Sequence, residues 1–267
     1  GAGGLLDSNV VIDEYNNVTV PGETIHDFFR DGSAVATYQL DGDATDLGGN
    51  YHGTEYGGVS YVSGKFGQAA SFDGVNDYIL NKTYVTCKTL SMWVNPSSQG
   101  LDYQAIFRAS IGLKVGLAKN LYTSSLYVIG ADRIKDIPFD AWSFVAFVLD
   151  GDTLECYVDG VLEKTFTGVS ISSQIDKISI GSRSGGVDQF MYGQIDQVRI
   201  FNRPLNASEV QALYNESNLK FDATVSFNKS VSFNESVNFD KPVSFNQGSI
   251  YTPDIFGDGS SVALYPM

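Results

Sequence analysis

Residues 142–166, WSFVAFVLDGDTLECYVDGVLEKTF, decide the fold class. They hold apolar runs rich in Val, Phe and Tyr, residue types that suit a pleated surface better than a helix. Asp159-Gly160 falls between two alternating runs, the signature of a tight hairpin whose turn needs left-handed backbone. Similar short runs lie on both sides: AVATYQL (34–40), AASFDG (69–74), TLSMWVNP (89–96), QAIFRAS (104–110), LKVGLAK (113–119), SLYVIG (125–130), KISIGS (177–182) and QIDQVRIFN (194–202). Gly, Asn and Asp separate them, as expected for strands joined by turns. One helix is expected from Ala207 to Asn215, with Asn206 as its cap and Glu209 three residues on completing a capping box. Many antiparallel strands with a single peripheral helix predict an all-β, two-sheet sandwich.

Composition agrees. The 267 residues include 28 Gly, 15 Tyr and 17 Phe, and only 18% are charged. Seventeen basic against 31 acidic residues leave a net charge of −14. A chain this acidic has no basic stripe for phosphates, which argues against a nucleic-acid partner. No apolar run approaches the length of a membrane span, so no membrane insertion is expected. The opening GAGGLLDSNVV has neither a basic start nor a long apolar core; no signal peptide is read there, and it resembles the interior of a longer chain. Cys87 and Cys156 are too few for a disulfide scaffold and read as two buried thiols, with a single bridge as the alternative.

A second pattern occupies residues 221–246, FDATVSFNKSVSFNESVNFDKPVSFN. Here Val225, Val231, Val237 and Val243 alternate with Phe227, Phe233, Phe239 and Phe245 on a period of six. Each Val and its following Phe are two apart, so both point to one side of an extended segment. That spacing rejects a helix, and a plain linker would not place aromatics so regularly. One six-residue rung cannot bury its own pair. The tract is therefore expected to form a β-solenoid or an intertwined β fibre, with these eight side chains as the core of a self-associated stem, most simply a homotrimer.

Residues 28–40, FFRDGSAVATYQL, also rhyme with 255–267, IFGDGSSVALYPM. This suggests one period of a tandem array. The expected layout is the end of a preceding fibrous spacer and linker at 1–30, a sandwich at 31–218, a hexapeptide-repeat fibre at 219–250 and the start of the next sandwich at 251–267.

The ordered strings VATYQLDGDATDLGGNYHGT (35–54), GQAASFDGVNDYI (67–79), LSMWV (90–94), AWSFVAFVLDG (141–151), LECYVDG (154–160) and GQIDQVRIFNRPLNASEVQALY (193–214) resemble a laminin-G-like, concanavalin A-type lectin/glucanase jelly roll. The resemblance covers about 31–217. Trp93, Trp142, Phe72, Tyr78, Tyr157, Ile195 and Val198 read as its core.

The resemblance implies a structural calcium between the 41–50 loop and the late strand, with Asp46, Asn50 and Asp196 as ligands and Asp41 or Asp43 as further oxygen donors. Calcium takes oxygen ligands, and this loop is dense in them. The opposite reading is that these residues only shape turns. The resemblance also implies glycan binding, for which Tyr103, Tyr122, Tyr127 and Tyr192 with Arg108, Arg133 and Arg183 could line a surface. It does not imply catalysis. Retaining glucanases of this fold need paired carboxylates about 5 Å apart, and Gln194-Ile195-Asp196-Gln197-Val198 carries one.

The flanking hexads resemble those of tailed-bacteriophage fibre and decoration proteins. The expected function is thus a non-enzymatic structural or adhesive module of a fibre or virion appendage, contacting host glycans. Its alternatives are a secreted bacterial surface adhesin at the cell surface and a carbohydrate-binding appendage of a glycoside hydrolase.

Overall fold

The stretch 142–166 forms a pair of crossing-free antiparallel ribbons at one side of a large sheet. In the computed structural model, residues 11–12, 18–19, 26–29, 31–109, 112–128, 132–183 and 185–217 are described. In chain order the first strands are β1 (Val11–Ile12), β2 (Val18–Thr19), β3 (Ala34–Tyr38), β4 (Thr54–Tyr56), β5 (Ser60–Ser63), β6 (Gln68–Asp73) and β7 (Tyr78–Asn81). Next come β8 (Val85–Thr86), β9 (Thr89–Pro96), β10 (Tyr103–Arg108), β11 (Lys114–Lys119), β12 (Thr123–Val128) and β13 (Arg133–Pro138). The last are β14 (Ser143–Asp150), β15 (Thr153–Val158), β16 (Val161–Phe166), β17 (Gln174–Ile175), β18 (Ile178–Ile180) and β19 (Tyr192–Phe201), followed by helix α1 (Ala207–Tyr214).

β1 and β2 pair with each other in an antiparallel ribbon. The sandwich belongs to a separate unit, Thr24–Asn215. One of its sheets runs β13-β12-β11-β10-β18-β7-β4, another runs β16-β15-β14-β9-β19-β6-β5 with β3 joining on β19, and β17 pairs with β8 in a two-stranded ribbon. The expected turn is present: Asp159 and Gly160 have φ of 51° and 76°, and β15 and β16 pair across them.

β14 is continuously apolar because both its faces are covered. Val145, Phe147 and Leu149 enter the core between the sheets with Leu90, Met92 and Val94 of β9. Phe144, Ala146 and Val148 face the other way and pack with Trp93, Tyr157 and Phe201 beneath Val210 and Leu213 of α1. A sheet capped on its outer side reads as an unbroken hydrophobic run rather than an alternating one. Trp93 is thus buried as expected, but in this outer layer, and Trp142 only flanks it half-buried. Tyr78 departs from the expectation: it is half-buried and stacks on Tyr56, with centroids 4.6 Å apart.

The helix begins as read. The Asn206 side chain accepts from Glu209 N at 3.0 Å, and the Glu209 carboxylate accepts from Asn206 N at 2.9 Å. Arg203 adds two bonds to the same carboxylate, at 2.9 and 2.8 Å. The sandwich reaches further toward the amino terminus than residue 31: the Phe29 ring lies 5.6 Å from that of Phe201, and the Asp27 carboxylate accepts from Gly32 N at 2.6 Å. Cys87 and Cys156 are buried free thiols, the first of the two readings. Among the described residues, no helix is long and apolar enough to cross a membrane. The hexad tract at 219–250 and the module start at 251–267 lie outside the described residues.

Candidate functional site: the seven-stranded sheet face and the Asp196 node

The expected calcium ligands have different roles in the fold. Asp46 shapes its own loop: Oδ1 accepts from Thr37 N (2.9 Å) and Gly48 N (3.1 Å), and Oδ2 accepts from Asn50 N (3.1 Å) and Tyr51 N (3.0 Å). Asn50 gives its side-chain amide to Gly48 O at 3.1 Å. The Asp43 carboxylate accepts from Thr45 N at 2.8 Å. These contacts match the turn-forming reading of the loop.

Asp196 is different. β19 pairs with β6 through Tyr192–Ile195 and with β3 through Val198–Phe201. Between those segments Gln197 takes a φ of 51°, and the register against β9 shifts. This bulge sits where the strand changes neighbour, and bulges re-aim side chains. Asp196 is 0% exposed there. Its Oδ2 accepts from Lys65 N and Phe66 N, each at 2.9 Å, while Oδ1 has no hydrogen-bond partner.

The turn Gly64–Gln68 also clamps Asp41, whose Oδ1 accepts from Gln68 N at 2.5 Å. Its glycines permit the approach. A Cβ on Gly64 would lie 2.8 Å from Asp196 Oδ2, and one on Gly67 would lie 2.3 Å from Asp41 Oδ1. Burial pushes the Asp196 carboxyl up to about 8; backbone donors from Phe66 and Lys65 oppose this, and the Asp41 charge reinforces it. The acid that acts on Asp196 is therefore Asp41 rather than Asp46. Among the described residues, no group of three or more His, Cys, Asp or Glu side chains is placed to hold a metal ion. An orphaned, buried carboxylate oxygen beside a second acid nonetheless fits the chemistry of a cation ligand.

The second place of interest is the outward face of the seven-stranded sheet. Register sets Tyr103 of β10 beside Ala118 of β11, and Ala105 beside Gly116, which in turn faces Tyr127 of β12. Tyr103 is 60% exposed and Tyr127 half-buried. The Tyr127 ring leans over Gly116, where a Cβ would meet its hydroxyl at 2.7 Å, and that hydroxyl lies near the Arg108 guanidinium. Any side chain at residue 116 would push the ring off this position.

Arg108 Nη2 donates to Gln189 Oε1 at 2.6 Å. Nearby Arg183 is ion-paired with Asp188, its Nη2 donating to Oδ2 at 2.5 Å. Arg133 pairs with Asp136, whose Oδ1 also accepts from Ser125 Oγ at 2.5 Å. The face therefore joins two aromatic rings, a floor of small residues and several fixed polar groups.

Of the expected glycan-facing residues, Tyr103, Tyr127, Arg108 and Arg133 come together by sheet register, and Arg183 joins them through the 183–190 loop. Tyr122, 80% exposed, stands at the β11–β12 turn. Tyr192 lies at the start of β19, its backbone N donating to Gln104 Oε1 at 2.7 Å. Gln189 was not legible as a site residue. It takes a φ of 53° on a loop, and no local pattern marks it.

A family profile of the concanavalin A-like lectin/glucanases superfamily matches residues 75–211, just over half of the chain. The chain belongs to this superfamily. Among solved structures it is similar to domain 4 of AbnA, a GH43 extracellular arabinanase from Geobacillus stearothermophilus, in complex with arabinotriose. The two are 23% identical with a TM-score of 0.57, covering 68% of this chain and 98% of that one. It is also similar to the binding domain of Paraclostridial Mosquitocidal Protein 1, at 16% identity and a TM-score of 0.51, covering 70% of this chain and 53% of that one. A Trypanosoma rangeli sialidase shares 16% identity with a TM-score of 0.56, over 70% of this chain and 33% of that one. No curated protein sequence matches. At these identities the likeness is one of fold.

Proposed function

We propose that this domain is a non-catalytic glycan-binding module that docks a sugar on the outward face of the seven-stranded sheet. One observation carries the reading: the Tyr103–Tyr127 pair over the small-residue floor of Gly116 and Ala118, with Arg108 fixed beside it. Sugars bind through aromatic faces and a few oriented polar groups, which is what this face offers. AbnA domain 4, a similar fold holding arabinotriose, makes arabino-oligosaccharides a reasonable first probe. Binding by the full chain on a glycan array, lost in Tyr127→Ala with an unchanged melting temperature, is the expected result. Retained binding in that variant would move the site elsewhere.

The finer reading is a bead on a fibre, in a virion appendage or, as the alternative, on a bacterial cell surface. The six-residue clock of Val225 to Phe245 supports it, since those side chains need neighbours to be sheltered. Light scattering of the intact chain should give three times its 28.9 kDa. Phe233→Ser should weaken that assembly by a few kcal/mol per chain, about the cost of removing a large core side chain. A parent already monomeric, or a variant of unchanged mass and melting, would discard the stem.

Structural calcium is retained as part of the proposal, with Asp196 and Asp41 as the carboxylates that would hold it. It would supply counter-charge at the fork of β3 and β6.

A further inference from the structure

Arg108 is only 3% exposed, yet no carboxylate among the described residues hydrogen-bonds it. Its Nη2 goes to the neutral Gln189 and its guanidinium meets the Tyr127 hydroxyl, while Nε is buried with no partner. Asp188, the described acid that acts on Arg108, is already committed to Arg183 through two contacts. Lys114 lies directly across from Arg108 in the register of β10 and β11 and makes no ion pair with a described residue. Among the described residues, this face of a chain of net charge −14 thus keeps a buried cation with no carboxylate partner of its own.

Burying a cation without a counter-charge is costly, and a fold tolerates it where an anion arrives. Burial lowers the Arg108 pKa and Arg183 adds to the effect, whereas Tyr127 and Asp188 oppose it. The neutral partner matters as well. Gln189 holds Nη2 without neutralising the guanidinium, so its charge is left for an anion.

We propose that the glycan taken by this face carries a carboxylate, as uronic and sialic acids do, and that Arg108 binds that carboxylate while the sugar ring rests on Tyr127. The inference rests on the glycan-binding reading above and narrows its ligand class. A guanidinium presents paired N–H donors at the spacing of carboxylate oxygens, and such charge-assisted pairs are about twice as strong as neutral ones. Asp136 is held by Arg133 and Ser125, so it does not compete for Arg108.

The test is calorimetric titration of the full chain with two matched pairs, oligogalacturonate against its methyl ester and sialyllactose against lactose. At least one acid should bind about tenfold or more tightly than its neutral partner, the scale of one charge-assisted contact. The two pairs tell a uronic from a sialic ligand. Arg108→Gln should abolish that preference. Equal affinity for acid and neutral partner overturns this inference while leaving the lectin reading intact. So does tighter binding of a sulfated glycan than of either acid. A preference that survives Arg108→Gln at unchanged melting temperature also overturns it. Absence of binding to any glycan on a broad array removes the lectin reading itself. If Arg108→Gln does not fold, the acid-against-neutral comparison on the parent chain decides alone.

Discussion

Asp46→Ala is expected to lower the unfolding free energy by about 3–5 kcal/mol, because one buried carboxylate satisfies four backbone donors at once. Thr37 N belongs to β3, whereas Gly48, Asn50 and Tyr51 belong to the loop that follows it. Removing the carboxylate leaves the Thr37 donor stranded in a buried place and frees the other three to partial solvent. Asp46→Asn should recover little of the loss: an amide accepts at one oxygen only, and its NH2 would face two N–H donors. Urea denaturation of all three proteins under identical conditions measures the effect. A midpoint within about 0.3 M of the parent's for Asp46→Ala, at an ordinary denaturant slope, would show that the carboxylate does not organise the loop.

The second large effect is a dependence on pH and divalent cation centred on Asp196. Its carboxyl is raised to about 8 by burial, with Asp41 adding to the shift. Between the usual carboxylate range and pH 8, the folded state therefore holds a proton that the unfolded state has released. Stability contributed by such a group falls as pH rises, by up to about 1.4 kcal/mol per pH unit. The apo protein should accordingly melt at a higher temperature at pH 5 than at pH 8.

Calcium should reverse the order, raising the melting temperature more at pH 8 than at pH 5, since a cation replaces the proton only where the carboxylate is charged. Asp196→Asn imitates the protonated form. It should melt at or above the parent at pH 8 without calcium, show a flatter pH profile, and give no calcium response. A parent whose melting temperature is the same at both pH values and indifferent to calcium would refute this account of Asp196.

Much of the fold was legible in local pattern. TLSMWVNP reads as β9 residue for residue, Asp159-Gly160 as the β15–β16 turn, and Asn206 with Glu209 as the start of α1. β4, β5, β7, β8, β13 and β17 escaped notice, as did the β1–β2 ribbon. β13, RIKDIP, pairs only with β12 at the edge of its sheet, so no alternation of buried side chains announces it. The candidate site was half legible: tyrosines and arginines could be named, but not which of them meet. Tyr103 and Tyr127 come together because β11 places Ala118 and Gly116 between them, a fact of register across three strands.

The chain alone determined the strand periodicity, the turn chemistry, the helix cap and the six-residue clock of its tail, because each depends on residues a few positions apart. Only the tertiary structure decided that Asp196 belongs with Asp41, that β14 is covered on both faces, and that Arg108 is bonded by the neutral Gln189 and by no carboxylate among the described residues. Those outcomes depend on which strands become neighbours and on a bulge at Gln197. Such pairings, between residues up to 155 positions apart in the case of Asp41 and Asp196, follow from burying the whole sheet at once rather than from any local preference.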